Sequence, residues 1–497
     1  MMKRLFAPTL ALALLLSGCA SSTPRVSESV APELQPYYSQ QLDWSDCDSG
    51  FQCTTVTAPL DWANPGGETV DLALIRHRAT GTSEGSLLVN PGGPGGSGVD
   101  FIRDSLDYAV SSDLQSHFDI VGFDPRGVGA SSAVSCFDAA EMDSFLYGIL
   151  PGERGSSEWI AEATAAQTAF AGACQSNTGS LLEFVDTQSA AHDLDLLRAV
   201  LGDAQLNYLG YSYGTYLGAN YAELFPEKVG RLVLDGAVDP AASNTEVNIA
   251  QAKGFESALR AYLADCVAGD SCPFAGQSVD QAMLSIRTLL DSVEASPLQG
   301  SDGRQLGADA LLTAIIYPLY SADAWEYLST MLSTVQAGQA DTALRFADGY
   351  NGRNDDGSYA DNSTEAFRAI NCLDYDYDAD PAAMAKQRAE LEAAAPIIGT
   401  YFSYGDIGCA VWPYQSRHER GPVSAAGSNP IVVIGTTNDP ATPYQWAVNL
   451  SEQLQNATLI TYQGEGHTAY NKSNACVGDA VDAYFISGTV PPAGLTC

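Results

Sequence analysis

The sequence predicts an α/β protein whose mainly parallel central sheet is interrupted by an inserted, mostly helical cap. Three observations carry this. Short apolar runs end in glycine-rich turns, as strands buried on both faces do. Helical patterns lie between those runs, and alternation of strand with helix implies a parallel sheet. One long stretch between two of the runs has helical periodicity and no strand pattern.

In chain order, residues 1–19 come first. Lys3 and Arg4 precede an apolar run over 10–16, which leads into Leu16-Ser17-Gly18-Cys19. That run is too short to span a bilayer, and small residues stand directly before the cysteine. The segment reads as a lipoprotein signal peptide that leaves Cys19 as the lipid-bearing N-terminus. Residues 20–40, rich in Ser, Pro and Glu, read as a flexible tether.

The first part of the core is expected over 41–239. Its strands are 85–89 before Asn90-Pro91-Gly92-Gly93, 118–123 before Asp124-Pro125-Arg126-Gly127, 206–211 before Ser212, and 231–234. Helical patterns cover 190–201 and 213–224, and 136–184 decorates the rim. The cap is expected over 240–425, with helices at 250–264, 279–293 and 308–319. The second part of the core, 426–497, adds strands at 431–434 and 459–462.

Composition narrows the function classes. A net charge of −37 argues against nucleic acid or an anionic lipid surface as a partner. Of 11 cysteines, removing Cys19 leaves an even number, as an oxidising compartment allows. Neighbouring pairs are the simplest connectivity: Cys47 with Cys53, Cys136 with Cys174, Cys266 with Cys272, Cys372 with Cys409, and Cys476 with Cys497. With no CxxC pair and no clustered histidine a zinc site is not expected, and no metal or organic cofactor is called for.

The strongest motif is Gly210-Tyr211-Ser212-Tyr213-Gly214, a GxSxG directly after an apolar strand and before an amphipathic helix. The glycines permit a sharp turn that lifts the hydroxyl from the sheet, and the helix dipole faces the developing anion. Such a serine needs a base. Of five histidines, His77 and His117 precede the serine in or beside strand-like segments, His192 lies in a helical pattern, and His418 in a charged run. His467, in a glycine-rich loop after the last apolar run, is the one placed to act as base. Asp439, after the preceding strand, is the candidate for orienting it, with a helix N-cap or an Asx-turn before Pro440 as the alternative role. The order Ser, Asp, His is that of α/β-hydrolases. Backbone N–H groups of Tyr213 and of Gly93, with Gly92 as alternative, would hold an oxyanion. The loop lacks the lysine and spacing of phosphate-binding loops. Asp124 and Arg126 are expected to brace loops against each other.

Together, residues 90–98, 122–129, 210–216, Leu234-Asp235-Gly236, Ala369-Ile370-Asn371-Cys372-Leu373-Asp374, 435–443 and 464–467 resemble the exported tripeptidyl aminopeptidases. These are capped α/β-hydrolase serine peptidases related to prolyl aminopeptidases. Pro91 stands where prolyl aminopeptidases usually carry a histidine, which places the sequence nearer the tripeptidyl branch. The resemblance implies release of short peptides from free N-termini, with a carboxylate holding the substrate's α-ammonium. Asp374, beside Asn371, is the candidate anchor, with Asp376 and Asp378 in reserve. Peptides with free N-termini are thus the expected partners, and the membrane is reached only through the N-terminal lipid. A carboxylesterase or lipase using the same triad is the alternative, and a catalytically silent surface-binding lipoprotein the remote one.

Overall fold

The structure is a computed structural model that describes residues 28–269 and 271–497. The signal peptide, Cys19 and the first part of the tether lie outside the described residues.

Ten strands form one sheet. They are β1 (Ser45–Asp48), β2 (Phe51–Pro59), β3 (Thr69–His77), β4 (Ser86–Asn90), β5 (Asp119–Phe123), β6 (Leu206–Tyr211), β7 (Val229–Asp235), β8 (Ile431–Asn438), β9 (Ala457–Glu465) and β10 (Leu495–Thr496). Their spatial order is β1-β2-β3-β5-β4-β6-β7-β8-β9-β10. The three pairings from β1 to β5 are antiparallel and the rest are parallel. The parallel strands are the continuous apolar runs: Leu87, Leu88 and Val89, and Leu232, Val233 and Leu234, are wholly buried. Asn90 pairs with Gly210, Tyr211 with Asp235, and Asp235 with Ile434, so the C-terminal ends of four central strands finish along one edge.

Helices cover both faces. α1 (Gly98–Ala109) follows β4, α2 (Thr187–Leu201) precedes β6 and α3 (Tyr213–Leu224) follows it. Between β7 and β8 come α4 (Asn244–Ala268), α5 (Val279–Ala295), α6 (Ala308–Leu319), α7 (Trp325–Gln336), α8 (Asp341–Asn351), α9 (Ser363–Asp374) and α10 (Pro381–Ala394). α4 to α8 bury their apolar faces in a core of their own, including Leu259, Ile286, Leu311 and Met331. α9 does not join it: Ala366, Ala369, Ile370 and Leu373 pack with the sheet's core, as do Trp412 and Val423. Within the stretch 240–425, α9 thus differs from α4 to α8, because its apolar stripe faces the sheet.

The tether expected through residue 40 is docked from Glu28 onward. Arg198 has a fully buried side chain, and besides Asp195 at 2.8 Å it takes the Glu28 carboxylate at 2.8 Å; Lys228 meets the same carboxylate at 2.8 Å. Tyr38 donates to Asp195 at 2.9 Å. A buried guanidinium needs this second anion, which is why the segment does not stay free. Five disulfides join the neighbouring cysteine pairs. Among the described residues no helix is long and apolar enough to cross a membrane.

Candidate active site

β6 ends at Tyr211, and the chain turns through Ser212 into α3. Ser212 has φ 56° and ψ −125°, a left-handed conformation that L-residues adopt only when their surroundings impose it. Its N–H donates to Asp235 O at 2.9 Å. A Cβ on Gly210 would stand 2.4 Å from Gly214 O, and one on Gly214 2.8 Å from Asn90 Oδ1, so both flanking glycines are required by close approach.

The loop after β4 lies against this turn. A Cβ on Gly92 would be 2.8 Å from the Cβ of Ser212 and 3.1 Å from Tyr213 N. Gly92 N–H is already given to Asn90 Oδ1 at 3.0 Å, whereas those of Gly93 and Tyr213 have no partner among the described residues. Two backbone donors thus stay free beside the serine, which favours Gly93 over Gly92.

Asp439 follows β8 and His467 follows β9. His467 Nδ1 lies 2.9 Å from each oxygen of Asp439. The same carboxylate, wholly buried, accepts N–H groups of Ala441 (2.9 Å), Thr442 (2.8 Å) and Thr468 (3.2 Å), and the Thr442 hydroxyl at 3.0 Å. The Asx-turn and the histidine contact, alternatives in the sequence, are both present in one side chain. The loop that carries His467 also rests on the helical insertion: His467 N–H donates to Tyr320 O at 2.9 Å, and the two rings meet edge-on at 5.5 Å. A Cβ on Gly236 would lie 3.2 Å from His467 Cε1, so serine and imidazole flank the Asp235–Gly236 strand end. Ser212 Oγ makes no hydrogen bond among the described residues, and such contacts tighten when substrate binds.

Asp374 ends α9 and is 7% exposed. It accepts Thr187 N–H at 2.9 Å and the Thr187 hydroxyl at 2.6 Å, and that hydroxyl also touches the Tyr213 hydroxyl. Burial pushes its carboxyl up to about 7, with the Thr187 hydrogen bonds opposing. Asn371 instead donates to Phe367 O at 2.8 Å within its own helix. Asp376 and Asp378 are exposed. Of the three acidic candidates, only Asp374 is both buried and linked to the residue after Ser212.

The remaining histidines serve elsewhere. His117 pairs with Glu84 at 2.8 Å, His192 stacks on Trp62, His77 meets Phe51 edge-on and His418 lies 3.8 Å from Asp186. Asp124 and Arg126 brace loops, but not against each other. Arg126 is fully buried on Asp193 at 2.6 and 2.7 Å and on the carbonyls of Pro59, Leu60 and Phe184. Asp124 takes Ser97, Val99 and Ala130. One residue of the Leu234-Asp235-Gly236 motif has a supporting role that the motif alone does not assign. Asp235, wholly buried, accepts the N–H groups of Ala469 and Tyr470 at 2.8 to 3.0 Å and so holds the base loop. A carboxylate closing a buried apolar run was its visible signal.

Chemically, the site combines a hydroxyl at a helix N-terminus, an imidazole oriented by a buried carboxylate, and two free backbone donors. A family model described as "TAP-like protein" matches residues 395–497. The chain is 37% identical to serine protease Hip1 of Mycobacterium tuberculosis, over 99% of this chain and 97% of that protein. It is 39% identical to carboxylesterase B of the same species, over 93% and 91%. It is 31% identical to tripeptidyl aminopeptidase of Streptomyces lividans, over 92% and 86%.

Proposed function

This chain belongs to the TAP-like family of α/β-hydrolase serine hydrolases, and from that premise we propose that it is a serine exopeptidase releasing short peptides, tripeptides, from free N-termini. Ser212 attacks the scissile carbonyl. His467 takes the proton and returns it to the leaving amine, while Asp439 fixes the tautomer and steadies the imidazolium. The N–H groups of Gly93 and Tyr213 hold the oxyanion, and water hydrolyses the acyl-enzyme.

The observation that carries the exopeptidase reading is Asp374. A carboxylate kept in an apolar setting, one hydroxyl away from the Tyr213 side chain, is a partner for an α-ammonium, and binding that cation offsets its burial. Export and attachment to the cell envelope through a lipid on Cys19 belong to the same reading, supported by the five disulfides. The carboxylesterase B relative favours a second reading, ester hydrolysis with the same triad.

A panel of chromogenic amides separates the two: free proline, free di- and tripeptides and an N-blocked tripeptide, beside a short-chain ester and a Ser212→Ala control. The expected outcome is cleavage of free tripeptide amides that is lost on blocking the amine and in Ser212→Ala. Ester cleavage without amide cleavage would move the assignment to esterase.

A further inference from the structure

Behind the base loop sits a lysine that the triad does not account for. Lys472 is largely buried. Its ammonium donates to Thr468 Oγ1 at 2.7 Å and lies 4.5 Å from the ring centroid of Tyr211 and 4.6 Å from that of Tyr108. Among the described residues no carboxylate lies within ion-pair distance of it. Tyr211 is the residue before the nucleophile and Thr468 the residue after the base. One cation therefore touches both halves of the reacting pair, through a hydrogen bond on one side and an aromatic face on the other.

The loop it holds has reason to need holding. Gly466, Thr468 and Asn471 all have positive φ, at 94°, 66° and 57°, and the threonine in particular pays steric strain for it. Asp235 restrains the loop through Ala469 and Tyr470, and Asp439 through Thr468 N–H. Tyr320 O takes His467 N–H, and Asn471 donates to Asp107 O and Tyr108 O, while Lys472 is the restraint that reaches across to Tyr211 on β6.

We propose that Lys472 is a positioning residue for hydrolysis: its ammonium keeps His467 and Ser212 in register and balances the two buried carboxylates, Asp235 and Asp439, that surround the base. The titratable groups around it are Asp235 on β7, Asp439 after β8, His467 and Tyr470 on its own loop, and the neutral Tyr108 on α1 and Tyr211 on β6. When His467 takes the serine proton, two anions face two cations. Without Lys472 they face one, so the charge balance around the proton transfer from Ser212 is altered. Burial pulls the Lys472 ammonium down to about 8, with Asp235 and Asp439 opposing, so at neutral pH it still carries its charge.

The inference rests on the serine-hydrolase reading but not on a substrate class, so the readout is the rate at which a fluorophosphonate probe labels Ser212. Lys472→Met is expected to slow labelling about tenfold to a hundredfold and to move its acid limb up by roughly half a pH unit. Lys472→Arg, which keeps charge and ring contact, should recover most of the rate. Thr468→Val, which keeps the lysine and removes its acceptor, should slow labelling in the same direction and guards against a methionine variant that fails to fold. Variants that label at the parental rate with an unshifted limb would overturn the role of Lys472 alone. Parental protein that resists the probe would overturn Ser212 as nucleophile, and this proposal with it.

Discussion

Asp374 is kept in a state that costs stability, and the cost has a pH signature. Its carboxyl titrates near 7 in the folded chain, well above its ordinary value of 3.8. Between those values the folded state holds a proton that the unfolded chain has released. The stability it contributes is fully present below the ordinary value and is lost as pH rises through about 7. Asp374→Asn removes the titration, so melting temperatures measured at pH 5 and pH 8 should shift in the variant's favour at the higher pH. Function should move the other way. Ionised Asp374 is the form that holds an ammonium, so kcat/KM for free peptides rises through pH 7 and falls once the substrate amine deprotonates, near pH 8. In Asp374→Asn it should drop about a hundredfold at pH 7.5, with ester hydrolysis unchanged. At this scale the sequence carries the proposed catalytic residues by type and position: Ser212 between two glycines, and His467 by elimination among five histidines. It does not carry Thr187, Tyr320 or Lys472. Their roles arise from contacts between elements far apart in the chain, and a threonine or lysine in isolation has no pattern to betray it.

The elements that read well are those whose burial is uniform. β4, β6 and β7 are continuous apolar runs, and α3 and α6 have the bounds that their periodicity implies. β2 and β3 are harder to place in the sequence, β3 showing only as the strand-like segment at His77, because antiparallel strands near a sheet edge alternate. Thr57 and Asp71 stand between buried Val56, Ala58, Val70 and Leu72, and the apolar run Leu72 to Ile75 is only four residues long. What fixes those strands to the rest is Arg126, which joins the carbonyls of Pro59 and Leu60 at the end of β2 to Asp193 on α2. Asp193 also receives the indole N–H of Trp62 at 3.1 Å. With side chains 0% and 4% exposed, loss of the cation alone leaves a buried anion unpaired. Arg126→Met should therefore cost about 3–5 kcal/mol in urea unfolding. The double variant Arg126→Met/Asp193→Leu should be no less stable than the single one, because the stranded carboxylate is the larger part of the loss. A double variant that unfolds earlier would place the cost in the orphaned carbonyls instead.

At the scale of the whole molecule, the helical insertion and the charge act on the same edge of the sheet. The cap has its own apolar core, yet it meets the catalytic elements at named points: Tyr320 O on His467, Gln251 on Ala441 O, and Ser257 on Asn438. It is thus part of the base loop's support as well as a cover. Length and periodicity announced the insertion, but its split, with α9 turned back onto the sheet, follows from which face of one helix is apolar and could not be assigned without knowing what lay opposite. The net charge of −37 surrounds this site with a negative field. A peptide with a free N-terminus brings a cation to it, and a neutral ester does not. Long-range attraction raises the encounter rate and is screened by salt, the Debye length shrinking from about 30 Å at 0.01 M to about 3 Å at 1 M. The capture of a free tripeptide amide, kcat/KM, should therefore fall several-fold over that range while kcat stays constant, since the bound ammonium is desolvated against Asp374 and little screened. The neutral ester should show no such dependence. A salt response equal for both substrates would mean that the field acts on the fold and not on the encounter.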